Sequence, residues 1–118
     1  MAEIRIFDSA RDKVVAAPGQ VIFEQGEPGD AMYAVINGEV DVMLGDVVVE
    51  TVGPGGILGE VALVDSGPRS ASAVARVESR LARVDQREFV FLVQEHPTFA
   101  LQVMQVLAER IRHANDVR

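Results

Sequence analysis

The apolar residues of this chain change their spacing near Val84, and the change divides the chain into two kinds of structure. Before that point they fall in short runs: Val14–Ala17, Val21–Phe23, Ala31–Ile36, Val40–Leu44, Val47–Val52, Ser72–Val77 and Arg80–Val84. Short, valine-rich runs bounded by turn residues predict strands. The boundaries here are Pro18-Gly19, Pro28-Gly29, Asn37-Gly38, Gly45-Asp46, Pro54-Gly55-Gly56 and Gly67-Pro68. Asn37-Gly38 predicts a tight hairpin, because both turn positions need positive φ, and Gly45-Asp46 predicts another. Many short strands at this spacing predict a sandwich or barrel, whose closure protects the strand edges.

After Val84 the spacing becomes helical. Asp85 can cap a helix, Glu88 can return the bond, and Val84 can staple onto Phe89. That helix is expected over 85–95, with Pro97 forcing a break. A second is expected over 98–115, with Ala100, Val103, Met104, Leu107 and Ile111 on one face and Phe99 and Val106 widening it. The pattern therefore predicts a single domain over 1–118, a small β-barrel over 13–84 and then two C-terminal helices.

Charge narrows the function classes. Against 11 Lys+Arg stand 18 Asp+Glu, a formal net charge of -7. Such a balance argues against a nucleic-acid surface, which needs a concentrated basic face. It also argues against direct docking on an anionic membrane through a polybasic patch. With no Cys, disulfides, zinc ribbons, iron–sulfur clusters and thiol catalysis are excluded together. No apolar run approaches bilayer length. The start, Met1 to Asp8, has no basic leader followed by an apolar block, so a cytoplasmic location is expected.

Catalysis finds little support. A barrel metal enzyme needs His and carboxylates clustered on neighbouring strands, and the only two His, His96 and His113, fall at or in the predicted helices. Ser66, Ser70, Ser72 and Ser79 have no neighbouring His to activate them and no nucleophile elbow. Glu24, Glu27 and Asp30 lack the spacing of a calcium loop and read as a solvated turn. The expectation is a protein that is not an enzyme and holds no metal or cofactor.

The informative stretch runs from Gly55 to Ser72. Glu60-Val61-Ala62-Leu63-Val64 can form one helical turn whose free N–H groups suit an anion. Arg69 supplies a planar fork that matches two phosphate oxygens, and small side chains at Ser70 and Ala71 let backbone N–H groups approach the same anion. Glu60 beside a phosphate makes sense if it accepts from a neutral hydroxyl, as on a sugar next to a phosphate. The competing reading is a Glu60–Arg69 surface ion pair across a Gly/Pro turn.

Gly59-Glu60-Val61-Ala62-Leu63 followed by Pro68-Arg69-Ser70-Ala71-Ser72 resembles the phosphate-binding cassette of the cyclic-nucleotide-binding domain family. That family includes the catabolite activator protein, regulatory subunits of cAMP-dependent protein kinase and cyclic-nucleotide-gated channels. Gly19 to Asp30 is similar to the family's first strands and glycine turn, Ala31 to Val40 to the hairpin that follows, and Pro54-Gly55-Gly56 to the approach to the cassette. The resemblance runs in family order from Val14 to the end of the chain.

It implies a mainly β fold: a jelly-roll-like β-barrel (double-stranded β-helix) with a short phosphate-cassette helix and two C-terminal α-helices. It implies a regulatory domain of signal transduction that binds cAMP, or cGMP, as ligand. Arg69 is then expected to pair with the cyclic phosphate, helped by the backbone of Ser70 and Ala71. Glu60 is expected to accept the ribose 2′-hydroxyl with the Gly59 backbone close by. Val61 and Ala62 complete the expected ligand-binding set of Gly59, Glu60, Val61, Ala62, Arg69, Ser70 and Ala71, although both, like Leu63, Val74 and Tyr33, read more readily as core around the pocket. Ser70 follows the cassette arginine, where a Thr favours cGMP in the family; serine is compatible with cAMP.

The sequence departs from the family in three places. Leu58 stands where an aromatic residue often precedes Gly-Glu, the segment before Val14 reads as short for the helical bundle of channels and kinases, and the sequence as given is expected to carry no helix-turn-helix after its second C-terminal helix. In the family the last helix closes over the base. Leu107, Arg110 and Ile111 are the base-capping candidates here, with Met104, Arg112 and His113 beside them. The competing reading packs the apolar stripe on the barrel or on a second copy and leaves the arginines solvated. Phe99 and Val106, off the stripe, suggest a homodimer through the final helix. The output then lies in an unidentified effector protein or domain. The other functional class is a domain of the same fold that does not sense nucleotide and acts through its C-terminal helix.

Overall fold

A computed structural model describes residues 12–65 and 67–116. The described residues form β1 (Lys13–Ala16), β2 (Val21–Phe23), β3 (Ala31–Asn37), β4 (Val40–Leu44), β5 (Val47–Val52) and β6 (Ile57–Leu58), then the short helix α1 (Glu60–Asp65). β7 (Ser72–Ala75), β8 (Ser79–Asp85), α2 (Gln86–Glu95) and α3 (Thr98–Asp116) complete the order. The expectations about the segment before Val14, no leader and no helical bundle, lie outside the described residues, apart from Asp12 and Lys13. No helix among the described residues is long and apolar enough to cross a membrane.

Two antiparallel four-stranded sheets, in the orders β1-β8-β3-β6 and β2-β7-β4-β5, face each other. The architecture is the expected jelly-roll-like mainly β fold with two C-terminal helices. Side chains from both sheets fill the space between them, including Val35, Val40, Val52, Leu58, Ala73 and Leu81. A second apolar layer lies on the other face of the β3–β8 sheet. There Met32, Ala34, Ala82 and Val84 pack with Phe99, Val103 and Val106 of α3. β3 and β8 are thus covered on both faces, which is why Ala31–Ile36 reads as an unbroken apolar run and not as an alternation.

Asn37-Gly38 does not close a hairpin. β3 belongs to one sheet and β4 to the other, so this turn carries the chain between sheets. Gly38 has φ +95°, and a Cβ on it would lie 2.3 Å from the Ser79 hydroxyl oxygen. That hydroxyl accepts from the Glu39 N–H at 3.1 Å. The close approach of β8 demands the glycine, where the dipeptide alone suggested hairpin geometry. The β-hairpin is at Gly45-Asp46, where β4 and β5 pair from Val40↔Val52 to Leu44↔Val47.

The helices start and stop as their caps dictate. Asp85 accepts from the Glu88 N–H at 2.8 Å, and the His96 N–H donates to the Leu92 carbonyl at 2.7 Å, ending α2 before Pro97. α3 docks one residue out of the expected phase. Its buried positions are Phe99, Val103 and Val106, while Met104 and Ile111 are 60% and 63% exposed. A shift of one residue turns a helix by about 100°. The side facing the sheet is decided by Phe99, which is 1% exposed and tilts against Phe89 at a centroid distance of 5.4 Å.

Candidate functional site

The glycine turn after β2 and the loop after α1 are sewn together by their backbones. The Gly26 N–H donates to the Arg69 carbonyl at 2.8 Å, and the Arg69 N–H donates to the Glu27 carbonyl at 2.7 Å. Pro28 and Pro68 form a bridge alongside. This pairing brings the Gly19–Asp30 segment and the cassette together and fixes where the Arg69 side chain starts.

The side chain then runs inward, 6% exposed. Its Nη2 donates to the Ala31 carbonyl at 2.8 Å and its Nη1 to the Gly59 carbonyl at 3.1 Å. The guanidinium carbon lies 4.1 Å from the centre of the Phe23 ring, within cation–π range. Two glycines make room for it. A Cβ on Gly59, where φ is +76°, would approach Nη1 to 2.6 Å, and a Cβ on Gly29 would approach Nε to 2.6 Å. Burial draws the Arg69 guanidinium below its usual pKa, against the nearby Tyr33, Asp30 and Glu27. Of the five N–H bonds of a guanidinium, two are spent on carbonyls, and the buried Nε meets no acceptor among the described residues.

Glu60 is the first residue of α1 and is 2% exposed. An isolated buried carboxylate is costly, and its partner comes from α3. Arg110 Nη1 pairs with Glu60 Oε1. The same guanidinium donates from Nε and Nη2 to the two oxygens of Glu50 at 3.0 and 3.1 Å, and from Nη2 to the Ile57 carbonyl at 2.8 Å. Arg110 continues the buried Phe99–Val103–Val106 stripe by one more turn, so the phase of α3 that buries Phe99 also delivers Arg110 to the cassette.

One pocket is lined by Gly59, Glu60, Val61, Ala62, Arg69, Ser70 and Ala71, together with Phe23, Val42, Leu58 and Arg110. It offers one buried cationic fork, one buried carboxylate and a short wall of apolar side chains. Such a set has the donors and the acceptor that would suit a single anionic group next to a hydroxyl. No group of three or more His, Cys, Asp or Glu side chains placed to hold a metal ion occurs among the described residues.

The sequence pattern described as "Cyclic nucleotide-binding domain" matches residues 13–96. The chain belongs to the cyclic nucleotide-binding domain family. The domain is 36% identical over 102 residues to the "Cyclic AMP receptor protein" of Thermus thermophilus, covering 82% of this chain and 47% of that one. It is 31% identical over 103 residues to the "CRP-like cAMP-activated global transcriptional regulator" of Mycobacterium tuberculosis, covering 83% of this chain and 46% of that protein. The chain thus spans about half the length of the curated relatives it matches. A solved structure from a study of a cyclic-GMP-dependent signalling pathway regulating bacterial phytopathogenesis superposes with a TM-score of 0.80 at 29% identity, covering 96% of this chain and 98% of that one.

All seven cassette residues expected from the sequence of this domain line the pocket. Ala62 and Leu63 are buried, whereas Val61 is 42% exposed at the pocket wall. The surface-pair reading of Glu60 and Arg69 is overturned, because both are buried and Glu60 pairs with Arg110 instead. Of the base-capping candidates only Arg110 lines the pocket. Leu107 packs against the sheet–helix core, and Ile111 is exposed because the helix phase turns it outward. Sequence reasoning missed Phe23, Val42 and Glu50. A carboxylate in the middle of the Val47–Val52 run was the signal for the last.

Proposed function

We propose that the domain is a non-catalytic sensor that binds cAMP, with cGMP as the other ligand of the same class, and converts occupancy into a position of α3. The observation that carries this reading is the joint burial of Arg69 and Glu60 at one pocket that α3 also reaches through Arg110. Arg69 has donors left for the equatorial cyclic phosphate, joined by the backbone of Ser70 and Ala71. Glu60, beside the Gly59 backbone, takes the ribose 2′-hydroxyl, and its pairing with Arg110 offsets the repulsion between carboxylate and phosphate. Val61 and Ala62 flank the sugar.

A ligand moves a two-state helix only by its differential affinity for the two states. Arg110 supplies that difference, since it belongs to α3 and touches the residue assigned to the sugar. Calorimetry with cAMP, cGMP and 5′-AMP tests the assignment. Saturable binding of a 3′,5′-cyclic nucleotide and none of 5′-AMP is the expected result; equal or absent binding of all three overturns it. The cAMP-to-cGMP ratio from the same titrations reads the preference expected from Ser70.

A second reading gives the outer face of α3 its own role. Leu101, Met104 and Ile111 are each about 60% exposed and recur at helical spacing on one side. We assign this face to a second copy of the chain, with an effector protein or domain reading the helix position. The stripe differs from the one expected, because Phe99 and Val106 are consumed by the core. Sedimentation across a hundredfold concentration range is expected to show a monomer–dimer equilibrium that Met104→Lys abolishes. A concentration-independent monomer overturns the dimer.

A further inference from the structure

β5 carries a bulge next to Glu50. Met43 pairs with Val48 and Val42 pairs with Glu50, so Val49 is the extra residue. Bulges re-aim the side chain beside them. Here Val47, Val48 and Val49 are all exposed, while Glu50 stands opposite the pocket-lining Val42. The bulge thus sets a carboxylate across from a pocket residue, where it closes on Arg110 through both oxygens at 3.0 and 3.1 Å.

Arg110 is therefore divided between two carboxylates. Glu50 holds the Nε–Nη2 edge and the Ile57 carbonyl takes a further Nη2 hydrogen, so that Nη1 remains for Glu60. Without Glu50, the preferred two-pronged geometry of an arginine with a carboxylate becomes available to Glu60, the more deeply buried partner. Glu60 would then be enclosed by Arg110 and less able to accept a hydroxyl.

We propose that Glu50 is a positioning residue for sugar recognition: by holding one edge of Arg110, it keeps Glu60 open to the 2′-hydroxyl of a cyclic ribonucleotide. The inference rests on the cyclic-nucleotide reading above. It makes Glu50, outside the cassette, a determinant of ribose against deoxyribose.

The experiment measures dissociation constants for cAMP and 2′-deoxy-cAMP in wild type, Glu50→Gln, Arg110→Ala and the double variant. Removing a negative charge strengthens attraction for the phosphate in both ligands alike, so the ratio isolates the hydroxyl. Wild type is expected to favour cAMP by about tenfold or more, as for a hydrogen bond to a charged group, and Glu50→Gln to bring the ratio within about twofold. In the Arg110→Ala background Glu50→Gln is expected to leave the ratio unchanged. The isosteric Gln keeps the strand intact, and Glu50→Ala should move the ratio in the same direction. A ratio unaltered by Glu50→Gln, with both ligands weakened or strengthened together, overturns the proposal while leaving the cyclic-nucleotide reading in place. A ratio that still responds without Arg110 overturns the route through it. Wild type that binds neither nucleotide overturns the underlying reading and the inference with it.

Discussion

Arg69→Ala is expected to weaken cAMP binding by about 2–5 kcal/mol, the cost of removing one partner of a buried charge-assisted pair. That corresponds to a loss of roughly thirtyfold to several thousandfold in affinity. The size follows from how much of the fold is spent on this one side chain. Two backbone hydrogen bonds fix its Cα, two carbonyls orient its fork, and Phe23 covers its face. Gly29 and Gly59 leave the room it fills. Arg69→Lys keeps the charge but not the fork, so its affinity should fall between wild type and Arg69→Ala. Calorimetry on the three proteins measures it, and wild-type affinity in Arg69→Ala would sink the cassette assignment.

Phe99→Ala is expected to destabilise the domain by about 3–5 kcal/mol, the usual cost of truncating a buried phenylalanine. Phe99 is 1% exposed and sits where α2, α3 and the β3–β8 sheet meet, among Met32, Ala82 and Val84. Against a typical stability of about 5–15 kcal/mol, that loss is a large fraction of the whole. Urea denaturation of wild type and variant reads it directly, and Phe99→Leu should cost less. An unchanged midpoint would mean that α3 does not dock on this face. The same result would unseat Arg110 from the cassette, since both residues lie on one stripe of the helix.

The strands were legible because their ends are punctuated: Val21–Phe23, Val40–Leu44 and Val47–Val52 lie where the apolar runs place them. Ile57–Leu58 was not, because a strand this short shows no alternation. Asn37-Gly38 misled because a glycine required by the approach of Ser79 looks the same as one required by a hairpin. The α3 stripe misled because two neighbouring faces of the helix are both apolar, one closing on the sheet and the other left to solvent. Within the site, Gly59, Glu60, Arg69, Ser70 and Ala71 are local in sequence and were found as a group. Glu50 and Arg110 lie 60 residues apart, and no spacing rule connects them.

By itself the sequence determined what local chemistry can determine: the alternation of strands and turns, the caps of α2, and a cassette with one arginine and one carboxylate. It also determined the acidic balance, which disfavours a polyanion spread across the surface yet permits one phosphate held by one fork. Only the tertiary structure decided which face of α3 is buried, since that depends on competition between two apolar stripes for one sheet. Through that choice it decided that Arg110 neutralises Glu60. Burying a carboxylate is costly unless a cation comes with it, and the cation had to arrive from the far end of the chain.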